Sequence, residues 1–224
     1  MAAKDKSARK RLLIVDDHPM MRQGLAQLID SEPDLQVTAQ ADNAGQALDA
    51  IGRQKFDLIL LDISLPDKNG LELMKDIQVL KPEVPILVVS MHDELLYAER
   101  VLRAGGRGYI MKQEGGIKFL QAIRRVLSGQ VYVSDKMSAR ILENLSGRRL
   151  EPAASPVQRL SDREFEVFQL IGQGKGTRDI AERLHLSVKT IEVHRVNIKR
   201  KLHLQTANDL VSHAIRWTEA EGKR

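Results

Sequence analysis

Three aspartates, one serine and one lysine hold most of the chemistry this sequence offers: Asp16 and Asp17 in "VDDH", Asp62 in "DLILLD", Ser90 in "PILVVS", and Lys112 after "GYIM". Clustered carboxylates repel unless a cation joins them. Hard oxygen donors without soft ligands favour Mg²⁺, which keeps several waters and accepts a phosphate oxygen as a further ligand. Asp62 can then serve as a nucleophile that forms an aspartyl-phosphate, with the metal and Lys112 neutralising the transferring phosphoryl group and the Ser90 hydroxyl bonding one of its oxygens. Each residue alone has a plainer explanation. An Asp-Asp pair ends strands and caps helices, and a lone serine or lysine is ordinarily a surface residue. Placed at matching ends of successive strands, the five point to one pocket. His18 is followed by Pro19, which suits a first helical turn, so its ring is expected at the solvent-facing rim. Met20 and Met21 are expected to pack a helix rather than bind a soft metal.

The elements that must position these residues follow from apolar patterning. Short runs recur at residues 12–15, 35–40, 57–62, 85–90 and 108–111, separated by stretches such as "HPMMRQGLAQLID" and "NGLELMKDIQVL" with apolar residues at helical spacing. Five alternations of strand and helix predict a parallel sheet covered on both faces, with ligands at the carboxyl ends of the strands near the switch in strand order. Beyond Ser128 the pattern changes. One helix is expected over 135–145, and "SGRRLEPAASPVQ" reads as a linker. Only helical signals follow. Ser161 and Glu164 form a capping box for a helix to about 171, Thr177 is expected to cap a second, Ser187 a third to about 202, and Thr206 with Asp209 a fourth over 207–219.

Composition narrows the class. The 224 residues suit one large or two small domains, and the absence of cysteine excludes disulfides, thiolate catalysis and cysteine zinc sites. The apolar stretch behind the basic start "MAAKDKSARKR" is too short for a signal peptide or membrane span, so a cytoplasmic protein is expected. The net charge is +5, and residues 157–224 hold 13 basic against 9 acidic residues, which places +4 of it in the last third and hints at a polyanionic partner there. Winding 187–202 at about 100° per residue puts Val188, Ile191, Ile198 and Leu202 on a core face. Lys189, Glu192, Val193, Val196, Asn197 and Arg200 fall opposite, as in a recognition helix entering the major groove; a merely solvated face is the competing explanation.

Together, "IVDDHPMMRQGL", "DLILLDISLPDKNGLEL", "PILVVSMHDE" and "AGGRGYIMK" resemble the receiver domain of two-component response regulators over about residues 10–130. "LSDREFEVFQLIGQGKGTRDIAERLHLSVKTIEVHRVNIKRKL" resembles the LuxR-type helix-turn-helix over 157–220, with 131–156 as linker. The whole chain looks like the NarL/FixJ class. The resemblance implies a flavodoxin-like α/β receiver with a five-stranded doubly wound parallel sheet, followed by a small all-α DNA-binding domain. It implies Asp62 as phosphoacceptor, Asp16, Asp17, Asp62 and the Ser64 carbonyl as Mg²⁺ ligands, Ser90 as switch hydroxyl, Lys112 as phosphate-binding lysine, and Tyr109 as a switch aromatic that rotates inward. Glu192, Val193 and Val196 match base-facing positions; Lys189, Thr190, His194, Arg195 and Lys199 match phosphate or flanking contacts. The implied partners are a sensor histidine kinase, a double-stranded operator and a second copy when phosphorylated or DNA-bound.

Two positions depart from the family pattern. Gly106 stands where such proteins often carry alanine, with an expected effect on loop stiffness only. Glu192 replaces a frequent lysine; it can accept from cytosine N4 but lowers nonspecific attraction. Two other readings stay open: a dehalogenase-like phosphatase, which wants a second aspartate where Ser64 stands, and a DNA-binding protein with a degenerate receiver.

Overall fold

Runs of four to seven mostly apolar residues are too short for stable helices but pair well as strands. In the computed structural model, which describes residues 9–145 and 156–222, five such runs form one parallel sheet. They are β1 (Lys10–Val15), β2 (Leu35–Ala41), β3 (Leu58–Leu61), β4 (Ile86–Ser90) and β5 (Gly108–Met111), in the order β2-β1-β3-β4-β5. The intervening helices are α1 (Pro19–Asp30), α2 (Ala44–Arg53), α3 (Gly70–Leu80), α4 (Glu94–Arg103) and α5 (Gly116–Leu127). Leu12, Ile14, Leu58, Leu60, Leu87 and Val89 pack with Ile29 of α1 and Phe119 and Ile123 of α5. Their alternates Leu13, Ile59, Leu61 and Val88 are equally buried, which assigns the opposite face of the sheet to α2, α3 and α4. Burial on both faces explains why the central strands β3 and β4 read as nearly unbroken apolar runs, whereas the edge strand β2 keeps Gln36 and Gln40 exposed.

The register fixes the pocket. Val15 pairs with Leu61, so the next residues, Asp16 and Asp62, emerge side by side where the strand order reverses, and the Asp62 N–H donates to Val15 O at 2.8 Å. The chain after β3 turns back tightly, with the Gly70 N–H donating to Ile63 O at 2.7 Å. A Cβ on Gly70 would stand 2.0 Å from Asp62 O, so only glycine permits this approach. Asn43, Asn69 and Asp93 cap α2, α3 and α4 through their side chains. His18 begins α1 without a side-chain cap, followed by Pro19 in the first turn. Neither aspartate holds the cap position, although Asp16 Oδ1 accepts from the His18 N–H at 2.9 Å. Met21 packs against the core, whereas Met20 is exposed, against the expectation that both would pack.

Beyond α5, Tyr132 forms an isolated parallel bridge with Gly108 of β5, and α6 (Asp135–Leu145) packs against α4 with Met137 buried. The chain divides into two compact units, before and after Leu150, and α6 belongs to the first. Residues 146–155 of the expected linker, and the basic residues 1–8, lie outside the described residues. The second unit holds a short 3₁₀ turn at Pro156–Arg159, then α7 (Asp162–Gly172), α8 (Thr177–Arg183), α9 (Val188–Lys201) and α10 (Ala207–Gly222). The Ser161–Glu164 capping box is formed, Ser187 caps α9, and Thr206 and Asp209 exchange hydrogen bonds at the start of α10. Thr177 is not a cap: Gly176 holds that position, with the Asp179 carboxylate accepting from its N–H at 3.2 Å, and Thr177 is the first helical residue. Trp217 of α10 meets Phe165 and Phe168 of α7 edge-on.

Gly106 has a role beyond loop stiffness. A Cβ at this position would lie 2.5 Å from Val101 Cγ1 and 3.0 Å from Met74 Sδ, and Val101 is fully buried. A branched side chain on α4 thus fills the space an alanine would need. Gly106→Ala is expected to destabilise the first unit by about 1–3 kcal/mol through overpacking. Val101→Ala in the same chain should recover most of that loss, as a double-mutant cycle in denaturant would reveal.

Candidate functional site

Four acidic or imidazole side chains gather at the ends of β1 and β3. One ligand atom from each of Asp16, Asp17, His18 and Asp62 lies within 4.8 Å of every other. Asp16 and Asp62 are almost fully buried, an expensive place for two like charges. Lys112, which follows β5, compensates them: its ammonium nitrogen lies 2.6 Å from Asp16 Oδ2 and 2.8 Å from Asp62 Oδ2. It is a buried lysine, held by the Lys112 N–H donating to Ser90 O at 2.8 Å. Burial pushes the Asp62 carboxyl up to about 6, opposed by the Lys112 charge and reinforced by Asp16. Burial also works against the charge on Lys112, but Asp62 and Asp16 outweigh it and hold the ammonium above its ordinary value.

The pocket is suited to a hard cation. Among the described residues, Asp16 Oδ2 and Asp17 Oδ1, though within ion-pair range of Lys112 and His18, are buried and accept no hydrogen bond of acceptable geometry. Carboxylate oxygens with unused lone pairs at this spacing match the donors that Mg²⁺ takes. His18 is exposed, as its neighbour Pro19 suggested, yet its Nδ1 sits 2.6 Å from Asp17 Oδ1 and 3.3 Å from Asp16 Oδ1.

The rest of the pocket wall is a chain of hydrogen bonds. Ser90 is fully buried at the end of β4, and its Oγ accepts from the His92 N–H at 3.3 Å. His92 O accepts from the Tyr109 hydroxyl at 2.7 Å, its ring lies 3.0 Å from Ser64 Oγ through Nε2, and the ring stacks on Tyr97. Tyr109 therefore stands in the inward position, fully buried, and burial drives its phenol far above the ordinary value. His92 and Arg22, whose guanidinium donates to Asp16 O at 2.5 Å, join the site without having been singled out by sequence. His92 was within reach, two residues past Ser90; Arg22 acts through a backbone carbonyl and leaves no signature.

The second candidate surface lies on α9. Ile191 and Ile198 are fully buried and Leu202 nearly so, while Lys189, Glu192, Val193, Val196 and Arg200 are exposed. His194, Arg195, Asn197 and Lys199 flank them, partly covered, and the Arg200 guanidinium donates to Asn197 Oδ1 at 3.3 Å. Val188 departs from its expected place on the core side: it is the first residue of α9 and is 45% exposed. Thr190 is engaged in the cap, its hydroxyl 2.8 Å from Ser187 Oγ. Between α8 and α9, His185 takes φ 51°, the left-handed value of a helix C-terminus that only a few residue types tolerate. The Lys201 ammonium meets Glu164 Oε2 at 2.6 Å; burial would raise that carboxyl, but Lys201 and the Ser161 N–H prevail and hold it low. The tie fastens the last turn of α9 to the capping box of α7.

Comparison with known proteins matches both parts of the chain. Residues 12–124 match the response regulator receiver domain, and residues 158–214 match the luxR family of bacterial regulatory proteins. The chain is 34% identical over 210 residues to the oxygen regulatory protein NreC of Staphylococcus haemolyticus, covering 92% of this chain and 97% of that protein. It is 32% identical over 210 residues, with the same coverage, to NreC of Staphylococcus carnosus. Among solved structures it is similar to a LuxR-family two-component response regulator from an Aurantimonas species, with TM-score 0.58 and 30% identity over 62% of this chain and 99% of that one. RcsB of Salmonella enterica serovar Typhimurium, bound to promoter rprA in the presence of the phosphomimetic BeF3-, shares the fold at TM-score 0.61 and 23% identity over 92% of this chain and 98% of that one. Among the described residues no helix is long and apolar enough to cross a membrane. The chain belongs to the two-component response regulators of the NarL/FixJ class, DNA-binding transcription regulators that join a receiver domain to a LuxR-type helix-turn-helix.

Proposed function

We propose that a sensor histidine kinase phosphorylates Asp62 and that this modification controls operator binding through α9, in the cytoplasm and with a second copy of the chain on DNA. The observation that carries this reading is the triple juncture of Asp62, Asp16 and Lys112, with distances of 2.6 and 2.8 Å from one ammonium to two buried carboxylates. Asp62 Oδ attacks phosphorus, the P–N bond to the kinase imidazole breaks, and the imidazole departs with a proton. Lys112 then follows the negative charge onto the phosphoryl oxygens, and the Ser90 hydroxyl donates to one of them. A bound Mg²⁺, held by Asp16, Asp17, Asp62 and the Ser64 carbonyl, supplies further charge neutralisation at those oxygens. The chain catalyses at most its own phosphorylation and hydrolysis. RcsB, solved in complex with DNA and as two dimers bound to two parallel DNAs, supports the dimeric, DNA-bound form; Ser64, where a phosphatase would carry an acid, weighs against turnover of outside substrates.

Asp62→Asn should abolish labelling by a phosphorylated kinase and remove regulation while leaving basal operator binding. The same change should stabilise the metal-free first unit by roughly 1–3 kcal/mol at pH 7. Because the folded-state pKa of Asp62 lies above its unfolded value, its contribution is most favourable below 3.8 and is lost as pH rises to about 6. The gain from asparagine should therefore fade as pH drops through that window in chemical denaturation.

Protons and cations compete for the same carboxylate. Mg²⁺ affinity measured by calorimetry should be flat above pH about 6 and fall up to about tenfold per unit below it.

On α9, Arg195→Ala should weaken operator and random DNA alike and lower the salt slope by about 1. Val196→Ala should instead alter preference at one base position, by about 1 kcal/mol. Fluorescence anisotropy over a salt series separates the two outcomes.

A further inference from the structure

The segment after α5 is bonded to the same elements that surround the pocket. β5 is the last strand in the sheet order, and an uncovered edge exposes N–H and C=O groups. Here the edge is covered by the chain itself: the Tyr109 N–H donates to Tyr132 O at 2.8 Å, and the Tyr132 N–H donates to Arg107 O at 3.1 Å. Gly108 makes this approach possible, since a Cβ there would lie 2.8 Å from Tyr132 O. Two residues on, the Ser134 N–H donates to Glu94 Oε1 at 2.7 Å. Glu94 is the first residue of α4 and is 8% exposed. Ser134 then starts α6, its Oγ accepting from the Met137 N–H at 3.1 Å, and Met137 is fully buried. Residues 132–137 thus form a strap held at Tyr109, Arg107 and Glu94.

Two of these holds, Tyr109 and Glu94, are linked to the phosphoacceptor pocket. The backbone N–H of Tyr109 holds the strap while its hydroxyl holds His92 O; His92 N–H is on Ser90 Oγ and its ring is on Ser64 Oγ. Ser90, His92 and Glu94 lie within five residues, so a movement of Ser90 toward a group on Asp62 carries Glu94 with it. A hydrogen bond of 2.7 Å between a carboxylate and a backbone N–H is lost once the two groups separate by about 1 Å, since such bonds reach only to about 3.2 Å.

We propose that the strap at 132–137 is a latch on the β5 edge and α4, and that occupation of the Asp62 pocket loosens it, freeing α6 from α4. This rests on the reading of Asp62 as phosphoacceptor. Coupling is reciprocal: whatever pocket occupancy does to the strap, strap release does to pocket occupancy. Removing the acceptor with Glu94→Ala should therefore raise affinity for a phosphoryl mimic by about fivefold, whereas Glu94→Gln, which keeps an oxygen for the Ser134 N–H, should stay near the native value.

The full chain with Mg²⁺ is titrated with beryllium fluoride, pocket occupancy being followed by the ¹⁹F resonance of the bound group and strap docking by hydrogen–deuterium exchange. The amides of Tyr109, Tyr132 and Ser134 should exchange about tenfold faster when the pocket is filled, and in Glu94→Ala should already do so without the mimic. A filled pocket with unchanged exchange at these amides overturns the latch and leaves the phosphoacceptor reading intact. No bound ¹⁹F signal overturns both. The native-chain comparison decides the matter even if Glu94→Ala fails to fold.

Discussion

Two carboxylates that cannot both be ionised cheaply, forced together at the switch point of a parallel sheet, are the constraint from which the rest of the receiver follows. Val15 and Leu61 are partners in register, so Asp16 and Asp62 have no freedom to separate without breaking the central pair of strands. Their repulsion is met by Lys112, reaching from the far side of β4. That solution holds three charges in a small volume and leaves two carboxylate oxygens, of Asp16 and Asp17, without a hydrogen bond among the described residues. A site with unused lone pairs and a raised carboxyl is poised to take a cation and then an anion, because either arrival redistributes charge that the fold already holds at a cost.

The second unit solves a different problem. A helix that reads DNA must turn polar and small apolar groups outward while staying fixed, and α9 buries only Ile191 and Ile198 fully. So narrow a buried stripe anchors a 14-residue helix weakly. Fixation comes from its ends: Ser187 at the first turn, the Lys201–Glu164 pair at the last. Glu164 is shared between that pair and the cap of α7, so the orientation of α9 is set by the start of α7. Val193 and Val196 are more than half exposed, which accords with the proposal that they face DNA.

Much of this was legible in the sequence. Residue type and strand-end position were enough to place Asp16, Asp62, Ser90 and Lys112 together, since strand ends in a parallel sheet share one edge. Helix starts marked by side-chain caps, Ser161, Ser187 and Thr206, were readable for the same reason: the side chain itself makes the bond. The misses share a cause. Gly176 begins α8 with no side chain to announce it, Val188 and Met20 are apolar residues at helix beginnings where helical periodicity does not yet imply cover, and the cost of a methyl at Gly106 depends on Val101, five residues earlier and on another element. His92 and the strap act largely through backbone groups, which every residue possesses and no sequence pattern distinguishes.

The same distinction between side-chain and backbone bonding bears on where a signal can travel. β1 and β3 sit at the centre of the sheet, paired on both sides and buried on both faces, so charge arriving at Asp16 or Asp62 cannot be answered by moving them. β4 carries Ser90 but is also paired on both sides. What remains adjustable is the loop from Ser90 to Glu94 and the outer side of β5, where single hydrogen bonds, rather than a ladder, hold the chain. A rigid centre carrying the charge and a lightly bonded edge carrying the strap divide the labour: the first keeps Asp16 and Asp62 in place whatever fills the pocket, and the second leaves the edge free to respond.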